Sequence, residues 1–314
     1  MTETVVAKPA TAAAEPEPKR PWLTNRRRRQ LMGLLLVSPA LIVVTVFFLV
    51  PLVMTFWMSF HDWPLLGEHE FVGLDNYKQA IDDTEWRNAI WFTLKYTLLI
   101  TPALLIPALI QAFLVNRPGR GARFFQTIYF LPVVIGFAAG AYLWLYLAQP
   151  GLGPLSDLSA RFGLSERTDN WFATGTSALL LVSLMVVWKQ TGMQMILLLS
   201  GLQSIPEELN EAARIDGASR WKSFRYVTLP LLRPTLALVL VFSVAGSLLA
   251  FDQFFIMTAG GPSNTTITAV YQIYRVSFIN FDLGYGAALS AMLMVVLAAV
   301  SALQMLLLRR TDHS

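Results

Sequence analysis

Long apolar stretches restrict this chain to helices that are solvated by a lipid bilayer. A helix crosses the hydrocarbon core with roughly 20 apolar residues, and stretches of that length recur along the whole sequence. The chain is 55% hydrophobic and 14% charged, whereas an average soluble domain has roughly 25% charged residues. The sequence therefore predicts an all-α polytopic membrane protein with six transmembrane helices, at about residues 31–57, 88–115, 124–147, 177–199, 235–258 and 287–308.

The chain before the first span is polar and then basic. Its first residues are rich in Ala, Pro, Glu and Thr, and an arginine run follows at Arg26–Arg29. We expect residues 1–30 to form a disordered cytoplasmic tail. The apolar run that follows is longer than the ~7–15-residue core of a cleaved signal, so we interpret it as an uncleaved span. The predicted organisation is this tail, a transmembrane domain at 31–310 and a C-terminal tail at 311–314.

The positive charges predict the orientation of the helices. Cytoplasmic loops of membrane proteins carry an excess of Lys and Arg. Most of the 24 Lys and Arg residues lie in the N-terminal tail, in the loops after spans 2 and 4, and at the C-terminus. The opposite loops carry five, which are Lys78, Arg87, Arg161, Arg167 and Arg275. Both termini are therefore predicted to face the cytoplasm, together with the loop after span 4. An arginine run that adjoins a membrane helix does not indicate nucleic-acid binding.

The cytoplasmic loop between spans 4 and 5 has the pattern of a compact helical unit. Ser204 and Glu207 are spaced as a capping box, which predicts a helix that begins just after Ser204. Gly217 can end that helix in a left-handed conformation. A second short helix is expected over about residues 219–226, and Pro230 is expected to close the unit. The loop should therefore form a helix–turn–helix that is exposed to the cytoplasm.

The same loop, residues 204–230, carries a motif with fixed spacing. It reads Glu211-Ala212-Ala213, three residues, Gly217, nine residues, Val227, one residue and Leu229-Pro230. This pattern resembles the coupling loop of ABC importer permeases, with valine at position 227 where isoleucine is usual. The resemblance implies that the loop docks on a separate ATPase through Glu207, Glu211, Ala212, Ala213, Asp216, Gly217, Leu229 and Pro230.

Other segments are similar to ABC importer permeases of the carbohydrate type, and in particular to the first, MalF-like member of the permease pair. They are spread over the chain, so the resemblance covers nearly all of it. The segments are Ser38-Pro39-Ala40 with Pro51, residues 59–63, residues 71–77, Thr258-Ala259-Gly260-Gly261-Pro262 with Thr265 and Thr266, and residues 281–288.

This resemblance implies a transport machine of several subunits in the bacterial cytoplasmic (inner) membrane. A second homologous permease would share the pore, and a cytoplasmic ATPase dimer would bind ATP and Mg²⁺. A periplasmic or extracellular solute-binding protein or lipoprotein would deliver the solute. The solute would be a carbohydrate, meaning an oligosaccharide, a disaccharide or a similar polyol or sugar phosphate.

Catalytic signatures are not recognisable in the sequence. None of the six lysines follows a glycine, so the chain has no phosphate-binding loop of the G-x-x-x-x-G-K-[ST] type. It has no cysteine and three scattered histidines, which is too few for a metal cluster. We therefore expect a non-catalytic membrane subunit without a cofactor of its own, so ATP hydrolysis would occur on a partner.

Polar residues inside spans are candidates for a substrate path, because they are costly in lipid. Amides and charges can bind hydroxyl groups, and aromatic faces stack on sugar rings. The candidates are Trp188, Lys189, Gln190 and Gln194 in span 4, and Phe251, Asp252 and Gln253 in span 5. An equally simple interpretation is that Lys189 and Asp252 pair with each other or with a partner permease.

Two other classes of protein remain as alternatives. A stand-alone ion-coupled secondary transporter would need intramembrane acidic or His relays, and Asp252 is the one acidic residue clearly inside a predicted span. An intramembrane enzyme would need a nucleophile–base pair or a metal site. The secondary transporter leaves the 204–230 loop without a purpose, and the arrangement that the enzyme needs is not recognisable in the sequence.

Overall fold

The computed structural model describes residues 22–117, 119–163, 166 and 168–309. By its internal contacts the chain divides into two units, residues 1–54 and 55–314. Most of the expected tails lie outside the described residues. Residues 22–30, however, belong to the first helix and not to a disordered tail, since that helix begins at Trp22.

The first unit is helical throughout its described part. Helix α1 spans Trp22–Val44, a π-helical turn spans Thr45–Leu49, and helix α2, which continues into the second unit, spans Val50–Met58. The π turn lies between Pro39 and Pro51. Local π geometry is one way in which a helix accommodates the backbone groups that prolines leave unbonded.

The second unit contains the remaining elements, nearly all of them helices. In chain order they are β1 (His61–Asp62), β2 (Glu70–Phe71), α3 (Asp75–Asp82), α4 (Thr84–Val115), α5 (Arg120–Val134), α6 (Phe137–Leu147), α7 (Pro154–Arg161), α8 (Gly175–Gln203), α9 (Glu207–Ile215), α10 (Arg220–Ser223), a π turn (Phe224–Thr228), α11 (Leu229–Leu248), α12 (Asp252–Met257), α13 (Ala269–Tyr274), a π turn (Arg275–Ile279) and α14 (Leu283–Arg309).

A short antiparallel hairpin joins α2 to α3. His61 pairs with Phe71 across its two strands. The buried Asn76 side chain donates from Nδ2 to the carbonyl oxygens of Ser59, 3.0 Å away, and His61, 2.9 Å away. The carbonyl oxygen of Trp63 accepts from the backbone N–H of Leu283 at 3.0 Å. The hairpin therefore fixes the position at which α14 begins, and we call this side of the unit the hairpin end.

Five helical stretches in the described residues are long and apolar enough to cross a membrane, and a bent helix pair provides a sixth candidate. The five are Met32–Met58, Thr84–Val115, Gly175–Gln203, Arg220–Leu248 and Leu283–Leu306, and the pair is Arg120–Val134 with Phe137–Leu147. These agree with the predicted stretches in order, and in number when the bent pair is taken as one span. The helix ends differ from the predicted ones at the third and fifth spans.

The third predicted span, 124–147, is broken and not continuous. Helices α5 and α6 meet at an angle of 98°. Ile135 and Gly136 between them are extended, with ψ angles of 131° and 148°. A break leaves helix-terminal carbonyl groups without intrahelical partners, so it persists in an apolar environment only where another group bonds them.

The fifth predicted span, 235–258, also ends earlier than expected. Helix α11 stops at Leu248, and α12 starts afresh at Asp252. The carbonyl oxygen of Ala250, which a continuing helix would bond internally, accepts instead from Thr268 Oγ1 at 2.7 Å. Asp252 and Gln253 therefore lie on a separate short helix and not inside the span.

The core of the second unit forms where α4 and α8 pack together. Tyr96 and Ile100 of α4 lie in one buried cluster with Leu181 and Met185 of α8. Helix α5 packs on α8 at Gly192, where an added Cβ would overlap the carbonyl oxygen of Tyr129. A glycine at position 192 thus sets how closely these two helices approach.

Candidate functional site

Helix α9 begins two residues later than the capping-box spacing predicts. Its first residue is Glu207, and Pro206 precedes it without any side-chain cap. Ser204 still has helical dihedral angles at the end of α8. Its hydroxyl therefore turns back and donates to the carbonyl oxygen of Gly201 at 2.8 Å. The predicted capping box is wrong because Ser204 ends one helix and does not start the next.

The turn after α9 confirms the role predicted for Gly217. Its φ angle is +77°, a conformation that glycine adopts without steric cost. The Gly217 N–H donates to the carbonyl oxygen of Arg214 at 3.0 Å, and the Ala218 N–H donates to that of Ala213 at 2.9 Å. These bonds satisfy carbonyl groups that would otherwise lack partners at the helix end.

The second helix of the loop is not closed by Pro230. Ser219 caps α10 by accepting from the Lys222 N–H at 3.3 Å. The helix then runs through the π turn Phe224–Thr228 and on through α11 to Leu248. The wider π turn just before Pro230 accommodates the missing N–H of the proline. The 204–230 loop is therefore continuous with the fifth span at its C-terminal side.

Two contacts hold α9 and α10 on the rest of the unit. Asn210 Oδ1 accepts from Ser223 Oγ at 2.9 Å and from Thr228 Oγ1 at 3.5 Å. The Phe224 ring lies edge-on to Phe113 near the end of α4, with 5.4 Å between the ring centroids. The segment is therefore attached to two membrane-spanning stretches, on the side of the unit opposite the hairpin end.

The side of this segment that faces away from the rest of the unit is not covered by other residues that the structure describes. None of the α9 residues is buried, and large apolar side chains of this segment lie exposed, with Ile215 87%, Trp221 69% and Tyr226 74% accessible. Large exposed apolar side chains that lie together mark a protein or membrane contact. Of the residues predicted for ATPase coupling, five are exposed (Glu207, Glu211, Ala212, Asp216 and Gly217), and three are half-buried (Ala213, Leu229 and Pro230).

Lys189 of α8 lies at the break between α5 and α6. Its side chain is 4% exposed, and Nζ donates to the carbonyl oxygen of Ile135 at 2.5 Å and to that of Val133 at 3.4 Å. Nζ also lies 4.6 Å from the centroid of the Phe137 ring. A cation at a helix C-terminus is favoured by the helix dipole.

The proposed pair of Lys189 with Asp252 does not form. Within the described ranges the one ion pair joins Lys78 to Asp75, and Asp252 lies exposed at the start of α12. No three His, Asp or Glu side chains of the described residues cluster as a metal site.

The other residues predicted for a substrate path divide between two helices. On α8, Trp188 lies 6.0 Å from Trp144 between ring centroids, Gln190 is half-buried, and Gln194 donates from Nε2 to Ser243 Oγ at 2.8 Å. On α12, the buried Gln253 donates to the hydroxyl oxygen of Tyr96 at 3.3 Å. Gln194 and Gln253 therefore tie helices together.

Phe251 belongs to an aromatic group that the sequence prediction missed. It stacks on Phe255 with 5.1 Å between ring centroids and lies 5.8 Å from Tyr271 and 5.3 Å from Tyr274. Phe251 and Phe255 are four residues apart, and Tyr271 and Tyr274 are three apart, so helical spacing alone would have paired them within each helix. Their meeting across α12 and α13 depends on the break after α11.

Comparison with known proteins identifies the family to which this chain belongs. The sequence profile of the binding-protein-dependent transport system inner membrane component family matches residues 84–313. The chain belongs to this family. It is 35% identical over 281 residues to the sn-glycerol-3-phosphate transport system permease protein UgpA of Escherichia coli, covering 88% of this chain and 94% of that protein. It is also 35% identical to a probable ABC transporter permease protein of Pyrococcus horikoshii, over 85% of this chain and 92% of the relative.

Solved structures share the fold of this permease. A bacterial ABC transporter involved in the import of the acidic polysaccharide alginate contains a chain with a TM-score of 0.78 and 22% identity, covering 92% of this chain and 98% of that one. A second alginate transporter structure, in complex with an alginate pentasaccharide-bound periplasmic protein, gives a TM-score of 0.76 at 23% identity, over 94% and 99% of the two chains. By its family and its curated relatives the chain is an ABC importer permease, and the stand-alone secondary transporter has no support.

Proposed function

We propose that this permease forms one half of a pathway for a carbohydrate or a similar polyol or sugar phosphate. A second homologous permease would supply the other half, in the bacterial cytoplasmic membrane, with both termini of this chain in the cytoplasm. The positive charges at the termini and in the loops after spans 2 and 4 support this orientation. The 35% identity to a glycerol-phosphate permease over most of both chains supports the class of solute.

The exposed α9 helix is the observation that carries the proposed coupling. It has no buried residue, yet Asn210 bonds hold it at 2.9 Å to the segment that continues into the fifth span. A firmly attached but uncovered helix is suited to transmit motion from a partner. The partner would be a cytoplasmic ATPase dimer that binds ATP and Mg²⁺ and hydrolyses the ATP. The two global states of the pathway would differ in their affinity for that dimer. ATP binding to the dimer would therefore shift the equilibrium between them.

The hairpin end would receive solute from a periplasmic or extracellular binding protein or lipoprotein, as the description of the family implies. The proposed lining of the path remains Trp188, Gln190 and Gln194 on α8 with Phe251, Asp252 and Gln253 after the break at the end of α11. Half-buried Trp188 and Phe251 offer aromatic faces for sugar rings, and the amides offer donors and acceptors for hydroxyl groups. We assign Lys189 the role of positioning α5 and α6, because its ammonium already bonds two carbonyl groups.

Transport by reconstituted vesicles tests this function. The chain is reconstituted with its partner permease and ATPase and supplied with binding protein and labelled solute. We expect uptake only when ATP is enclosed with the ATPase, and none with this chain alone under a proton or sodium gradient. Uptake by the isolated chain, driven by an ion gradient, would contradict the proposal.

A further inference from the structure

A polar cavity of about 470 Å³ lies at the hairpin end, beside the first turns of α4. One wall is formed by Glu85, Trp91 and Lys95 of α4. The other wall includes Asn264 of the loop after α12, Gln272 of α13 and Arg275. Ligand sites usually measure about 300–1,000 Å³, so the cavity has room for a monosaccharide or a small derivative.

The charges in this cavity favour an anion. Within the described part of the chain neither Lys95 nor Arg275 forms an ion pair. The single carboxylate, Glu85, accepts at Oε2 from Gln272 Nε2 at 3.1 Å. Two polar atoms here, Arg275 Nη1 and Gln272 Oε1, are buried and have no hydrogen-bond partner. Two cations therefore face one carboxylate that is bonded to an amide, which leaves the cavity with net positive charge.

An aromatic ring and a cation share the α4 wall. Lys95 Nζ lies 5.3 Å from the centroid of the Trp91 ring, and Trp91 itself is 60% exposed. A cation over an indole ring is held in place without being neutralised. The uncovered indole surface offers a flat apolar platform next to the charge, as the carbon face of a polyol or a sugar ring requires.

The opposite rim is built by an ordered loop. Ser263 and Asn264 both have left-handed φ angles, of 49° and 60°, which residues other than glycine adopt at a cost. Thr266 Oγ1 donates to the carbonyl oxygen of Gly261, and Thr265 Oγ1 donates to that of Pro262, each at 2.7 Å. This bonding holds Ser263 and Asn264 exposed at the cavity.

We propose that this cavity binds a small hydroxylated anion, namely a polyol or sugar that carries a phosphate. Lys95 and Arg275 bind the phosphate, Asn264 and Glu85 bind hydroxyl groups, and Trp91 packs on the carbon skeleton. This role rests on the proposed transport function, because the cavity would hold an anionic solute before the solute enters the path. A polyol phosphate could also be the headgroup of an anionic lipid.

Calorimetric titration of the full chain in nanodiscs of phosphatidylcholine tests the site without any partner or ATP. Glucose 6-phosphate should bind saturably, while glucose and inorganic phosphate each bind about tenfold more weakly or worse, since each lacks one half of the contacts. Lys95→Gln and Arg275→Gln should each weaken glucose 6-phosphate binding by about tenfold. Lys78→Gln is the matched control, because Lys78 is exposed and paired with Asp75 outside the cavity, and its affinity should equal that of the wild type.

Equal affinity for glucose and glucose 6-phosphate, or unchanged affinity in both variants that keep the wild-type melting temperature, would overturn the proposal. Inorganic phosphate that binds as tightly as glucose 6-phosphate would also overturn it, by showing a simple anion site. Nanodiscs with phosphatidylglycerol distinguish the two sources: competition identifies a lipid headgroup, and unchanged binding identifies a soluble solute. Failure of binding with intact ATP-driven uptake would remove the cavity proposal and leave the transport function standing.

Discussion

The Nζ of Lys189 lies 2.5 Å from the carbonyl oxygen of Ile135, on the extended residues between α5 and α6. A lysine from one helix thus supplies the hydrogen bond that a broken neighbouring helix lacks. Each partner would be costly alone, since a buried ammonium and a buried free carbonyl both lose their hydration. Together they make a sharp bend stable in an apolar environment.

Replacement of this lysine should therefore destabilise the protein. Lys189→Met keeps most of the side-chain volume but leaves the carbonyl groups of Val133 and Ile135 without a partner. We expect a loss of about 1–3 kcal/mol in the free energy of unfolding, measured as a lower melting temperature in detergent. Lys78→Met should lose about 0–1 kcal/mol, because it removes an exposed pair. Equal melting temperatures for both variants would contradict the role assigned to Lys189.

The contact between α5 and α8 should depend on Gly192. An alanine there would overlap the carbonyl oxygen of Tyr129, so we expect Gly192→Ala to cost about 1–3 kcal/mol of stability. Gly246→Ala is the matched control, since Gly246 lies in α11 with nothing within 4 Å of an added Cβ. It should be neutral or raise stability by up to about 1 kcal/mol. Thermal unfolding of the two variants in the same detergent checks both values, and the reverse order would refute the close approach.

The turn at Gly217 should tolerate residues according to their preference for positive φ. Space around it is open, so a substitution meets backbone strain and no clash. Gly217→Val should cost about 1–2 kcal/mol locally, which loosens the end of α9 and speeds limited proteolysis in this loop. Gly217→Asn should be cleaved at nearly the wild-type rate, because asparagine enters the left-handed region more readily. Equal cleavage of both variants would argue against a strained turn.

The attachment of α9 should depend on Asn210. Asn210→Ala removes the acceptor for Ser223 and Thr228, and we expect faster amide hydrogen exchange in residues 207–216. Glu208→Ala, at an exposed position of the same helix, should leave exchange near the wild-type rate. Mass spectrometry of the intact chain in detergent measures both. Unchanged protection in Asn210→Ala would contradict the role assigned to Asn210.

The long helices could be predicted from the sequence because membrane crossing depends on local composition. Residues 88–115 and 177–199 lie within α4 and α8 with only their ends shifted. Gly217 could also be predicted, since its requirement for positive φ is a property of one residue. The coupling motif identified the family on local sequence in the same way.

The breaks could not be predicted because they depend on distant partners. The bend at Ile135 requires Lys189, 54 positions away, and the end of α11 requires Thr268, which is 18 positions from Ala250. The role of Ser204 could not be predicted either, because whether Ser204 caps α9 or ends α8 depends on where α8 stops. The suggested pair of Lys189 with Asp252 was wrong for the same reason, since the breaks place the two residues in different surroundings.

Charge reversal on α9 tests the central claim, that this loop couples the permease to a separate ATPase. Glu211→Lys changes an exposed residue and should leave folding and membrane insertion intact. With the complete transporter in vesicles, we expect ATP-driven uptake and retention of the ATPase to fall by about tenfold or more. The substitution removes the contacts of the Glu211 carboxylate and places a positive charge where a negative one was. Glu68→Lys, in the exposed hairpin loop, should retain the ATPase at the wild-type level. Wild-type uptake and ATPase retention in Glu211→Lys would contradict the account.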